Sequence, residues 1–136
     1  RNYTDERYDF EYVLKNADVI SINIPLTPET TNLISLKQLE MMKRSAILIN
    51  YARGGIVNEC DLAFALKNKM IRGAIVDVLT QEPPNTGNPL FDAPNLLLTP
   101  HTAWTSFEAR TRLLEGIVNN IQTFKKGDIY KIKITN

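Results

Sequence analysis

Four short apolar runs constrain this chain more than any other feature: 18-DVISINIP-25, 46-AILINYA-52, 73-GAIVDV-78 and 96-LLLT-99. They are rich in β-branched residues and lack strict apolar/polar alternation. A strand with one face in water alternates, whereas one covered on both faces does not. The runs therefore predict about four parallel strands with helices on both faces. Helical patterns separate them. Ser35 and Gln38 have the spacing of a capping box, opening a short helix through about Met42. Asn58 and Asp61 suit the start of a helix running to about Lys69, with Leu62, Ala63, Leu66 and Met70 at helical spacing. From about Ser106 to Lys125 the residues Phe107, Leu114, Ile117, Val118, Ile121 and Phe124 form one stripe, with Gly127 as C-cap. A first helix spans about Asp9 to Lys15, with Phe10, Val13 and Leu14 apolar. The order α-β-α-β-α-β-loop-β-α argues an α/β fold with right-handed crossovers.

Bulk properties narrow the function. At 136 residues, 43% of them hydrophobic, the chain can bury one core. Sixteen basic residues against 15 acidic ones leave a net charge of +1, which gives no reason to expect nucleic acid or a membrane as partner. The apolar runs are far shorter than a membrane span. Cys60 is the only cysteine, so no internal disulfide can form, and a reducing, cytoplasmic setting is expected. No signal peptide is visible, and no metal site is expected. The chain begins at Arg1 rather than Met, as a piece of a longer protein would.

In open parallel sheets, ligands bind beyond the carboxyl ends of the strands. Four polar groups follow those ends: Arg53 in 53-RGG-55, Asp77, Glu82 in 80-TQEPP-84, and His101, the sole histidine. Singly, each has a plain structural reading. Arg53 is a solvated turn residue, Asp77 caps a loop, Glu82 sits in an exposed turn, and His101 is a satisfied loop imidazole. Together they suit one chemistry. A guanidinium grips a carboxylate with two hydrogen bonds. An imidazole exchanges a proton near neutral pH, and a neighbouring carboxylate fixes its tautomer. Such a rim handles a small 2-oxo or 2-hydroxy acid if a hydride carrier supplies the rest.

The segments 24-IPLTPETTNLI-34, 48-LINYARGGIVNE-59, 73-GAIVDVLTQEPP-84 and 95-NLLLTPHTAW-104 closely resemble the D-isomer-specific 2-hydroxyacid dehydrogenases, over roughly residues 8 to 127. PHTAW followed by 108-EARTRLL-114 is most similar to the glycerate dehydrogenase/hydroxypyruvate reductase branch. The resemblance implies a Rossmann-like domain, an oxidoreductase activity and NAD or NADP as cofactor. It assigns Arg53 to the substrate carboxylate and carbonyl, His101 to the proton donor that meets the substrate, and Glu82 to the histidine's partner. Asp77 would hydrogen-bond the nicotinamide carboxamide. Tyr51, Ala52 and Arg53 would line the nicotinamide, as would His101, Thr102, Ala103 and Trp104. Ile24, Pro25 and Thr30 would lie along the ribose and pyrophosphate. Tyr51 is bulkier than the small residue often found there, and Asn23 replaces a frequent histidine.

The six glycines, at 54, 55, 73, 87, 116 and 127, give no G-x-G-x-x-G, the turn whose amides cradle a pyrophosphate. The family resemblance therefore implies the second half of a nucleotide-binding domain over residues 1–128. Residues 129–136 would be a tail leading toward a separate substrate domain. The edge of the first run should then be exposed. The expected parent is a homodimer that reduces a small 2-oxo acid of the hydroxypyruvate or glyoxylate type. The alternatives are a dinucleotide-sensing, corepressor-like interaction protein on the same fold, and a 136-residue chain inactive by itself.

Overall fold

The computed structural model describes residues 7–128. They fall into two compact units, one ending at His101 and the other beginning at Thr102. The first contains α1 (Phe10–Asn16), β1 (Val19–Ile22), α2 (Leu36–Met41), β2 (Ile47–Asn50), α3 (Glu59–Lys67), β3 (Gly73–Val76) and β4 (Leu96–Leu98). Each helix starts where the sequence offers an acceptor. Asp9 takes the Glu11 N–H at 2.9 Å, and Asn58 takes that of Asp61 at 3.0 Å. At α2 the Gln38 carboxamide accepts from the Ser35 amide and hydroxyl, at 3.2 and 2.6 Å. Asp61 does more than complement a helix dipole: its Oδ2 accepts the Leu36 N–H at 2.8 Å and ties α2 to α3.

The four strands are parallel and lie in the order β1-β2-β3-β4. Ile22 pairs with Asn50, and Asn50 with Val76, so the strand ends lie level along one rim. The register separates the two faces. Ile20, Ile22, Leu48, Asn50, Ala74, Val76, Leu96 and Leu98 share one, and all are buried or half-buried. Ile22, Leu48, Ala74 and Val76 join Leu14 of α1, Leu39 of α2 and Leu62, Ala65 and Leu66 of α3 in one core. The other face carries Val19, Ile49, Ile75 and Leu97. Val19 and Leu97 are more than half exposed, and Ile49 and Ile75 are half-buried.

The parallel sheet is as expected, but its helical cover within the first unit is not on both faces. Right-handed crossovers taken repeatedly in one direction set successive helices side by side on one face. Here α1 packs on α2 and α2 on α3. The β3-to-β4 connection, residues 77–95, contains no helix. The strands are also shorter than the apolar runs, because each run continues past the ladder into the rim. Among the described residues β1 is an edge strand, as expected for the first run.

The second unit is built on α4 (Phe107–Lys125). Ser106 caps it by accepting the Ala109 N–H at 3.1 Å, and Gly127 ends it with φ +78°. The stripe is present, yet no residue of α4 is buried, and Phe107 is 75% exposed. Among the described residues no helix is long and apolar enough to cross a membrane. The tail read at 129–136 lies outside the described residues.

Candidate active site

The rim begins with a turn shaped by a buried amide. Asn50, the last residue of β2, is 2% exposed. Its Oδ1 accepts the Ala52 N–H at 3.1 Å, and its Nδ2 donates to the Arg53 carbonyl at 2.9 Å. Both ends of the amide are spent on folding the chain back, which presents Arg53 at the surface. The Arg53 guanidinium donates to the Ala52 carbonyl at 2.7 Å. Gly54 follows because nothing larger fits: a Cβ there would lie 1.9 Å from the Leu79 carbonyl oxygen. The Arg53 turn is thus pressed against the chain that leaves β3.

That chain carries Glu82, whose two oxygens have separate partners. Oε1 accepts the Leu79 N–H at 2.8 Å, and Oε2 meets His101 Nδ1 at 2.6 Å. The Leu79 amide foremost, and then the His101 ring, hold the Glu82 carboxyl below the usual carboxylate range; the nearby Asp77 charge opposes them. The Glu82–Pro83 peptide is cis. His101 has φ +54°, a left-handed conformation that costs a non-glycine residue about 1 kcal/mol or more. Its amide repays this by donating to the Asp77 carbonyl at 2.8 Å. Asp77 is itself 2% exposed, and its carboxylate accepts the Thr99 hydroxyl. Asp77 and Thr99, the residues that directly follow β3 and β4, thereby help aim the imidazole at the Glu82 carboxylate. Strained backbone held by its surroundings is a recurrent feature of functional sites.

The Glu82–His101 pair forms a shared wall between two hollows. One, of about 240 Å³, is lined by Leu26, Arg53, Gly54, Val78, Leu79 and Thr80 besides the pair. The other, of about 640 Å³, is mostly apolar, with Leu79, Pro83, Pro84, Phe91 and Leu98 around Asp77. The structure therefore brings Arg53, Glu82 and His101 to one hollow and sets Asp77 in the adjoining one. Ile24, Pro25, Thr30, Tyr51 and Ala52 stand at the β1 and β2 ends but line neither. The Thr30 hydroxyl closes its own loop, donating to the Pro25 carbonyl at 2.8 Å and accepting the Thr27 N–H at 2.7 Å. Thr102, Ala103 and Trp104 open the second unit and are exposed there. No three His, Cys, Asp or Glu side chains gather as a metal site among the described residues.

Sequence reasoning missed Asn50, Leu26, Thr99 and the Leu79 amide. Asn50 had one available signal, a lone polar residue closing the run AILIN. The others act through contacts that only the folded chain creates.

A parallel sheet whose level strand ends carry these groups is a Rossmann-like domain, of the kind that binds dinucleotides. Residues 1–103 match the NAD binding domain of the D-isomer specific 2-hydroxyacid dehydrogenases, and the chain belongs to that family. It is 52% identical over 125 residues to the glycerate dehydrogenase of Methylorubrum extorquens, covering 90% of this chain and 40% of that protein. It is 42% identical to the glyoxylate reductase of Korarchaeum cryptofilum, covering 91% of this chain and 37% of that one. Among solved structures, the NAD complex of a D-isomer specific 2-hydroxyacid dehydrogenase from Lactobacillus delbrueckii ssp. bulgaricus aligns with a TM-score of 0.78 at 36% identity, over 88% of this chain and 40% of that one. An acyclic imino acid reductase in complex with NADPH and D-Arg aligns with a TM-score of 0.83 at 33% identity, over 98% and 43%. The chain spans about two fifths of the length of these relatives.

Proposed function

We propose that the protein carrying this chain transfers a hydride between NAD(P)H and a small 2-oxo or 2-hydroxy acid. The observation that carries this reading is the 2.6 Å contact of His101 Nδ1 with Glu82 Oε2 on the wall of the hollow that holds Arg53. With Nδ1 engaged by a carboxylate, the ring keeps its proton on that nitrogen when neutral, and proton exchange with a ligand falls to Nε2. Arg53 binds the substrate carboxylate and polarises the adjacent carbonyl. In the reducing direction His101 delivers a proton to the carbonyl oxygen, and Glu82 steadies it throughout.

The bound nicotinamide supplies the hydride that no side chain can. The buried Asp77 carboxylate is an acceptor of the type a carboxamide N–H needs, and the apolar hollow beside it supports a ring-binding rim. On this reading Tyr51, Ala52 and Arg53, with His101, Thr102, Ala103 and Trp104, line the nicotinamide. Ile24, Pro25 and Thr30 face the ribose and pyrophosphate. Residues 1–128 belong to one dinucleotide-binding domain, and 129–136 lead out of it. The relatives named for glycerate and glyoxylate favour a short substrate of that class. The near-zero charge balance gives no pull toward nucleic acid or a membrane surface and so favours a small-molecule partner; we read the full-length protein as a cytoplasmic homodimer.

Two substitutions in the full-length protein test the reading. His101→Ala lowers kcat by about 10²- to 10⁴-fold, the usual worth of a positioned acid–base group. Arg53→Ala raises KM for the 2-oxo acid and lowers kcat/KM. Near-normal rates in both variants would overturn it.

A further inference from the structure

The segment that presents Glu82 has almost no apolar hold on the fold. Residues 80–87 are all exposed, Asn88 is half-buried, and the next buried side chain is Leu90. One carboxylate holds both ends of this excursion. Glu59, the first residue of α3, accepts the Thr80 N–H on Oε1 at 2.6 Å and the Asn88 Nδ2–H on Oε2 at 2.8 Å. Asn88 passes the anchor on, its Oδ1 accepting the Leu90 N–H at 2.9 Å.

The Leu79–Thr80 peptide is thereby gripped from two sides. Its carbonyl abuts Gly54 of the Arg53 turn, and its N–H is bound by Glu59. The neighbouring Leu79 N–H is the one that holds Glu82 Oε1. A continuous path runs from Glu59 through this peptide to Glu82, and from Glu82 Oε2 to the imidazole. No part of it relies on Glu59 touching a ligand.

We propose that Glu59 is a positioning residue for the Glu82–His101 pair, pinning both ends of the 80–88 segment so that Glu82 stays on His101 Nδ1. The proposal rests on the reading of that pair as the proton-exchanging centre. What matters is that two acceptor oxygens reach two donors at once, rather than the charge at the start of α3. A catalytic group displaced by about 1 Å forfeits up to about 100-fold in rate.

The test compares Glu59→Asp with Glu59→Gln in the full-length protein. Asp keeps the charge but is one methylene too short to span Thr80 and Asn88. It lowers kcat about 10- to 100-fold with KM for the 2-oxo acid little changed. Gln keeps the reach and accepts the Thr80 N–H, but its Nε2 is a donor and cannot take the Asn88 Nδ2–H, so it releases one end only and lowers kcat less than Asp does. A second readout is the Glu82 carboxyl titration followed by carbon NMR. Glu82 faces His101, Asp77 and Arg53, and all three remain in these variants. In Glu59→Asp its titration moves up toward the ordinary carboxylate range as the Leu79 and His101 hydrogen bonds loosen; in Glu59→Gln, which keeps the Thr80 anchor, it moves less. An Asp variant with wild-type kcat and an unmoved Glu82 titration overturns the proposal, as does a Gln variant more impaired than the Asp one, which would make charge rather than reach the decisive property. His101→Ala separates the two readings: if it is inactive while Glu59→Asp is normal, only the role of Glu59 falls.

Discussion

Replacing Asn50 by Ala removes a side chain with two separable jobs. It deletes the bonds to the Ala52 amide and the Arg53 carbonyl, at 3.1 and 2.9 Å. At about 0.5–1.5 kcal/mol each, the two together are worth about 1–3 kcal/mol. That is a sizeable share of a typical total of about 5–15 kcal/mol. The same loss frees the turn that presents Arg53, so KM for the 2-oxo acid should rise as well. Leu48→Ala is the control. Leu48 lies two residues earlier in β2, on the same sheet face, fully buried in the core and away from the turn. It should cost about 2–5 kcal/mol and leave KM unchanged. Urea unfolding and steady-state kinetics on the full-length variants read both quantities. An Asn50→Ala protein within about 0.5 kcal/mol of wild type, with normal KM, refutes the role given to the amide. An equal rise in KM for Leu48→Ala would show that KM reports general loosening instead.

Other perturbations address the rim and the helices. Gly54→Ala places a methyl 1.9 Å from the Leu79 oxygen, so the Arg53 turn or the Glu82 segment must move; turnover should collapse, and wild-type kinetics would contradict the packing described. Gly116→Ala is the opposite case, since its Cβ meets nothing within 4 Å inside α4; it should gain about 0.5–1 kcal/mol, and a loss in thermal unfolding would count against the exposed helix. The depressed Glu82 carboxyl contributes stability that is complete above its unfolded value of about 4.3 and is lost as pH falls through its lower folded value. The stability gap between wild type and Glu82→Gln should therefore be open at neutral pH and narrow on strong acidification. A gap that does not change with pH would remove the hydrogen-bonded carboxylate from the account.

Much of this was legible in residue order because parallel strands and caps leave local marks. The runs around Ile20, Leu48, Ile75 and Leu97 are β-branched or leucine-rich whichever face is covered, so they mark strands but not their cover. That is why the face holding Val19 and Leu97, which no helix of the first unit covers, was not foreseen: apolar composition is the same whatever lies against it. Arg53, Glu82 and His101 were legible as groups following strand ends. The supports behind them were not. Asn50 reads as one polar residue in an apolar run, and Glu59 as an acidic first turn. The partners of Glu59, the Thr80 amide and Asn88, become neighbours only when the loops fold onto one another, whereas the Asn50 bond to the Arg53 carbonyl is local to its turn. The left-handed backbone of His101 likewise depends on the Asp77 carbonyl, which its amide meets across the β3–β4 pair besides that of Thr99.

The central claim is that this rim runs hydride chemistry on a short 2-oxo acid. The most direct test is steady-state oxidation of NADH or NADPH by the full-length protein over a panel including glyoxylate and hydroxypyruvate. The account predicts turnover with at least one of them, yielding one 2-hydroxy acid per dinucleotide oxidised and lowered at least about 100-fold in His101→Ala. A protein that binds dinucleotide, oxidises none of it with any 2-oxo acid, and instead engages a protein partner only when dinucleotide is bound would contradict the claim.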